Sequence, residues 1–141
     1  MTRRFLDTNI LLRYLTRDDE QKAQRSLALL MKVERGEEKV ETNLIVVFET
    51  IYALQRLYRV PRDVIKELLL NVIRLRGVHL PGKNLCYQAL DLYVSKNISF
   101  ADAYHVAYMN SRGLNEIYSC DTDFDKIAEV IRMEPEEVSF D

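Results

Sequence analysis

Short apolar segments alternate with helical segments along almost the whole chain, and that alternation limits its fold more than any other feature. Residues 3–7 read as a short strand and 9–15 as a turn or two of helix. A longer helix is expected over 18–35, where Ala23, Leu27, Leu30 and Met31 recur at helical spacing. Asp18 is placed to cap it and Gly36 to stop it. Residues 39–42 suit a short strand and 43–58 a helix, and Pro61 opens another helix running to about residue 75. An apolar strand at 77–80 precedes helices at 83–96 and 99–112, the second closed by Gly113. A strand at 116–120, a brief helix near 125–129 and a strand near 131–133 complete the pattern. Strands separated by helices pair in parallel through right-handed crossovers, so the expected fold is α/β, a three-layer sandwich of a short parallel sheet between helices. In such sheets ligands bind outside the carboxyl ends of the strands. The residues just after each strand are therefore the ones to inspect.

At 141 residues the chain suits one domain over 1–141 with a single core. Hydrophobic residues at 48% and charged residues at 30% exclude a disordered or fibrous protein. No apolar run approaches the roughly 20 residues that cross a bilayer. The apolar stretch after Arg3 and Arg4 is broken by Asp7, unlike a signal peptide. A cytoplasmic protein is expected, with no membrane role. Cys86 and Cys120 lie far apart and outside any CxxC, which suits reduced thiols in or near the core. Together with His79 and His105 they make a poor structural zinc set.

A net charge of -2 rules out a uniformly basic nucleic-acid binder, yet the charge is unevenly spread. Residues 55–76 hold six basic and two acidic side chains, whereas 116–141 hold two basic and nine acidic. A solvated face accounts for either. A basic patch beside an acidic pocket also suits an enzyme acting on a polyanion.

Four acids stand out. Asp7 follows Phe5-Leu6 at the end of the first strand, where a helix N-cap and a ligand are both open readings. Asp121 ends a strand in the same way, within Asp121-Thr122-Asp123-Phe124-Asp125. The D-x-D-x-D spacing is not an EF-hand, since Lys126 stands at the sixth position and Arg132 at the twelfth. Asp123 or Asp125 is free to cap the next helix. Glu49 has Ile45, Val46, Tyr52 and Ala53 as helical neighbours, an apolar setting that is costly unless the carboxylate is paired, with Arg56 for instance, or bound to metal. Asp102 reads either as the far half of a capping box begun by Ser99 or as a ligand, with His105 one turn on. Four carboxylates brought together would repel one another, and only a multivalent cation makes that favourable. Oxygen-only donors point to Mg²⁺ or Mn²⁺.

At these residues the chain resembles the PIN-domain ribonucleases. The matching segments are Phe5-Leu6-Asp7-Thr8-Asn9-Ile10-Leu11-Leu12-Arg13, Val47-Phe48-Glu49, Ser99-Phe100-Ala101-Asp102-Ala103-Tyr104 and Ser119-Cys120-Asp121-Thr122-Asp123-Phe124-Asp125. Each is short, but the ordered set is fairly specific and covers essentially the whole domain. Within the family, the compact single domain is similar to VapC-type toxins of toxin–antitoxin modules. The resemblance implies a sheet in the order 3-2-1-4-5. It implies metal ligation by Asp7 and Asp102, completed by Glu49 and Asp121, with Thr8 or Asn9 supporting Asp7 and Asp123 also in support. It further implies a homodimer, a small antitoxin partner, and hydrolysis of RNA to 5′-phosphate and 3′-hydroxyl ends. Arg13, Arg17 and the 55–76 stretch are candidates for holding the RNA backbone, and no aromatic single-strand platform is visible. Cys120 departs from the aromatic or apolar residue more usual there.

Rival readings are an RNA-processing PIN nuclease without antitoxin, a PIN fold that has lost catalysis, and a receiver-type signalling domain. The last would need an aspartate ending a central strand, where residues 43–58 read as helix and offer Glu49.

Overall fold

The computed structural model describes residues 2–136, 138 and 139. Two compact units divide the chain, residues 1–87 and 88–141. In the first unit the order is β1 (Arg4–Phe5), α1 (Thr8–Thr16), α2 (Glu20–Glu34), β2 (Val40–Glu41), α3 (Leu44–Arg56), α4 (Arg62–Ile73) and β3 (Val78–His79). Each crossover holds two helices, and the strands they join run parallel. Arg4 and Phe5 pair with Val40 and Glu41, which pair in turn with Val78 and His79, giving the order 3-2-1. Leu6, Leu11, Leu30, Val33, Val40, Val46, Val72 and Val78 form the core beneath these strands and helices.

Strands of two residues need fixing at their ends. The Leu6 N–H donates to the Glu41 carbonyl at 2.8 Å and the Thr42 N–H to the His79 carbonyl at 3.0 Å. The buried Thr42 hydroxyl donates to the Leu6 carbonyl at 3.1 Å, immediately before Asp7. Gly77 enters β3 through a gap that admits no side chain: a Cβ there would lie 2.4 Å from the Glu38 carbonyl oxygen and 2.7 Å from that of Val33.

Local caps correct one expectation and add one feature. Asp19, rather than Asp18, caps α2 by accepting the Lys22 N–H, while Asp18 accepts the Tyr58 hydroxyl. Asn43 caps α3 through the Val46 N–H at 3.1 Å. Residues 44–56 are helical, so no central strand ends in this segment as a receiver domain would require.

The second unit begins within α5 (Lys83–Ser95) and continues through α6 (Phe100–Ser111), β4 (Glu116–Tyr118), a 3-10 turn at Thr122–Lys126 and β5 (Ile131–Met133). Here β4 and β5 are parallel, with Glu116, Ile117 and Tyr118 opposite Ile131, Arg132 and Met133. Gly113 takes a φ of 70° to end α6, a left-handed conformation that glycine adopts without a Cβ clash. Tyr93 and Phe100 meet edge to face at 6.4 Å. The expected 3-2-1-4-5 order thus appears as two ladders, 3-2-1 and 4-5. The strand expected over 116–120 stops at Tyr118, and the helix expected near 125–129 is instead the 3-10 turn that begins at Thr122. Among the described residues the fold is mixed α/β, with six α-helices and wholly parallel pairing. No described helix is long and apolar enough to cross a membrane.

Candidate metal centre

In the first unit, Asp7 occupies the N-cap position of α1 with extended backbone angles, yet its side chain makes no capping bond. The bland role open to it in the sequence is therefore not taken, and its exposed carboxylate is available. Thr8, buried at 7% exposure, supports Glu49 rather than Asp7: its hydroxyl donates to Glu49 Oε2 at 3.2 Å. That bond crosses from α1 to α3 and orients the glutamate. Asp7, Thr8, Asn9, Leu12, Phe48, Glu49, Tyr52 and Ala53 line one cleft of about 350 Å³.

Glu49 corrects the sequence reading. It is exposed, because Ile45, Phe48 and Tyr52 on the same face of α3 are themselves 65%, 41% and 55% exposed. An apolar neighbourhood along a helix is not burial, so no desolvation argument for a metal applies to this residue. The same face holds a feature that the sequence reading missed: Phe48 and Tyr52 stack at 6.4 Å with 24° between their planes, on the wall of the cleft. Their i, i+4 spacing was the available signal.

In the second unit, Ser99 caps α6 by accepting the Asp102 N–H at 3.1 Å. The Asp102 carboxyl lies beside Asp121. Partial burial first, and then the neighbouring Asp121 carboxylate, hold its pKa above the ordinary value, against the Ser99 hydroxyl and His105, which lower it. Asp121, not Asp123 or Asp125, caps the following turn: its Oδ1 accepts the Asp123 N–H at 2.9 Å while its own N–H donates to Ser119 Oγ. Asp125 is drawn away by Arg132, whose Nε lies 3.0 Å from Oδ1. The D-x-D-x-D run therefore divides. Asp121 and Asp123 join Asp102, and each of the three offers a carboxylate oxygen within 4.8 Å of the others. Ligands on opposite sides of a hard divalent cation stand roughly 4–5 Å apart, from bonds of about 2.0–2.6 Å, so this donor set fits such an ion. Lys126 approaches Asp123 at 3.3 Å and offsets part of the charge.

Of the residues expected to hold RNA, Arg17 is committed to Glu20 by a short hydrogen-bonded ion pair, and Arg74 lies over the Tyr87 ring at 5.7 Å. Arg13 is half-buried on α1. Of the two cysteines, Cys86 is buried as expected and Cys120 is exposed.

The chain belongs to the PIN domain family, whose profile matches residues 4–130, from β1 to the residue before β5. A comparison with curated proteins gives no match. Membership brings a metal-dependent nuclease fold, and PIN domains are generally hydrolases of this kind.

Proposed function

We propose that the protein is a divalent-metal-dependent endoribonuclease, in which Asp102 and Asp121 hold the cation with Asp123 in support, and Asp7 and Glu49 are the further carboxylates of the same reaction. The observation that carries this reading is the approach of the Asp102, Asp121 and Asp123 oxygens to within 4.8 Å of one another in a PIN-family chain. A bound Mg²⁺ or Mn²⁺ supplies a water of lowered pKa and neutralises charge building on a phosphoryl group. The chain's own residues set the stage for that chemistry. The Ser99 cap fixes the start of α6 and hence Asp102, and the Asp123 N–H holds one Asp121 oxygen. Arg132 keeps Asp125 out of the cluster, and the Thr8 hydroxyl steers Glu49. We take residues 1–141 as one cytoplasmic nuclease domain, a view supported by a single family profile that runs through both units.

The ordered motifs favour the toxin of a toxin–antitoxin pair, with a small antitoxin as partner. Finding a reading frame for a small protein beside the gene would favour this over an RNA-processing nuclease, and its absence would favour the latter. A homodimer is favoured by the exposed Ile45, Phe48, Tyr52, Leu57, Tyr58 and Val64 on and between α3 and α4, since an apolar set of that kind suits a partner surface. The direct experiment is RNA cleavage in Mg²⁺ or Mn²⁺, abolished by EDTA. Asp7→Asn should lose activity with an unchanged circular dichroism spectrum. Equal cleavage by wild type and Asp7→Asn would point to a contaminating nuclease and sink the reading.

A further inference from the structure

A groove of different character lies between α1 and α2. Ile10 and Arg13 line it from α1, and Lys22, Arg25, Ser26 and Leu29 line it from α2. It encloses about 190 Å³, its lining is mostly apolar, and three cationic side chains and no acid border it. The helix period explains the grouping: 22, 25, 26 and 29 fall on one face of α2, and 10 and 13 on one face of α1. The half-buried Ile10 and Leu29 give the groove an apolar floor.

The nearby acids do not neutralise it. Asp18 accepts the Tyr58 hydroxyl, Asp19 caps α2, and Glu20 is bonded by Arg17 and Gln24. Among the described residues, no carboxylate forms an ion pair with Arg13, Lys22 or Arg25. Three like charges around one groove repel, so the arrangement favours an anionic occupant. Position narrows the choice. The carboxylate cleft shares Asn9 and Leu12 with a small cavity that also touches Thr16, Tyr58 and the two bonded acids Asp18 and Asp19, and that cavity shares Arg13 and Lys22 with the cationic groove. A continuous path thus runs along α1 from Asp7 to Arg25. Six residues of helix separate Asp7 from Arg13, about 9 Å of rise, which is too far for Arg13 to serve a phosphate at Asp7 itself.

We infer that this groove seats backbone phosphates of a single-stranded RNA whose path runs by the Asp7–Glu49 cleft, with Arg13, Lys22 and Arg25 as phosphate-binding residues. The inference rests on the nuclease reading and deepens it. These contacts are independent of base sequence, so the groove sets affinity and the path of the strand.

Binding of a labelled single-stranded RNA in EDTA, followed by anisotropy across a salt series, tests the groove without catalysis. For single strands the logarithm of affinity falls with the logarithm of salt by about 0.7 per neutralised phosphate, equivalent to about fourfold per contact at 0.15 M salt. Lys22→Gln/Arg25→Gln, both at exposed positions, should lower the slope by about 1.4. Adding Arg13→Gln should lower it by about 2 and weaken binding about 50-fold. In cleavage assays KM should rise and kcat hold. Arg35→Gln, already paired with Glu37 in the wild type, should leave the slope in place; an equal drop there would show a diffuse charge effect and overturn the assignment. Folded groove variants with unchanged slope and KM would overturn it while cleavage by the wild type upheld the nuclease reading. Slope loss in the variants of a wild type that binds but never cleaves would uphold the groove and sink that reading. Variants that lose self-association yet bind RNA as before would assign the groove to a protein partner and overturn the inference.

Discussion

Replacing Asp102 with Asn separates a metal ligand from a helix-capping residue, because the two roles respond with opposite signs. The side chain sits in the first turn of α6, where a negative charge contributes about 0.3–1 kcal/mol, and Asn forfeits that. Its oxygen also lies within 4.8 Å of one from Asp121. Two unit charges at that separation repel by about 0.9 kcal/mol in water and about 3.5 kcal/mol at an effective dielectric constant of 20. Asp121 is exposed, so the lower figure is the relevant one. In metal-free protein the two effects nearly cancel, and stability should hold level or rise slightly. The pH dependence has a definite sign. Asp102 is held above the ordinary carboxylate range by burial and by Asp121, so the wild-type fold is penalised as pH rises from that range toward the raised value, and Asn removes the penalty. Metal ion gives the larger signal. Mn²⁺ at about 100 times its Kd stabilises the fold by about 2.7 kcal/mol, and a tenfold loss of affinity removes about 1.4 kcal/mol of it. At about 4 °C per kcal/mol for a chain of this size, the Mn²⁺-induced rise in Tm should shrink by about 5 °C. Thermal melts of both proteins, with and without Mn²⁺, give the four values required. A destabilised variant whose metal-induced rise is undiminished would return Asp102 to the cap and refute the ligand assignment.

Gly77→Ala should destabilise the first unit by roughly 1–3 kcal/mol, because its Cβ would meet two backbone carbonyl oxygens rather than a movable side chain; a melt within 1 °C of wild type would contradict this. Native protein should expose one thiol to a disulfide reagent, at Cys120, since burial pushes the Cys86 thiol up to about 12; two thiols reacting before unfolding would be the contrary result. If the proposed antitoxin exists, it should inhibit by setting an arginine against the acids, where a planar guanidinium pairs with carboxylates in bidentate fashion. A co-complex that leaves Asp7, Glu49, Asp102 and Asp121 open to solvent would reject that route.

Sequence by itself determined the elements and the candidate acids. Apolar alternation, Pro61, Gly113 and the Ser99 cap are local signals, and the helices fall within a few residues of where those signals put them. Parallel pairing was the expectation from the same order, since parallel strands need a long crossover and alternating helices supply it. Tertiary structure decided which side chains face what. The helical pattern around Glu49 reads as apolar, yet one face of α3 is open to solvent, and exposure depends on what packs against a helix rather than on its own residues. Asp121, Asp123 and Asp125 are equivalent as a run of alternating acids. Only the position of Arg132 on β5 takes Asp125 away, while the fold of the 3-10 turn keeps the other two beside Asp102. Arg13, Lys22 and Arg25 are scattered over thirteen residues and two helices, and a groove exists there only because α1 packs against α2. Contacts between residues far apart in sequence leave no periodic trace, and for that reason they appear only once the chain is folded.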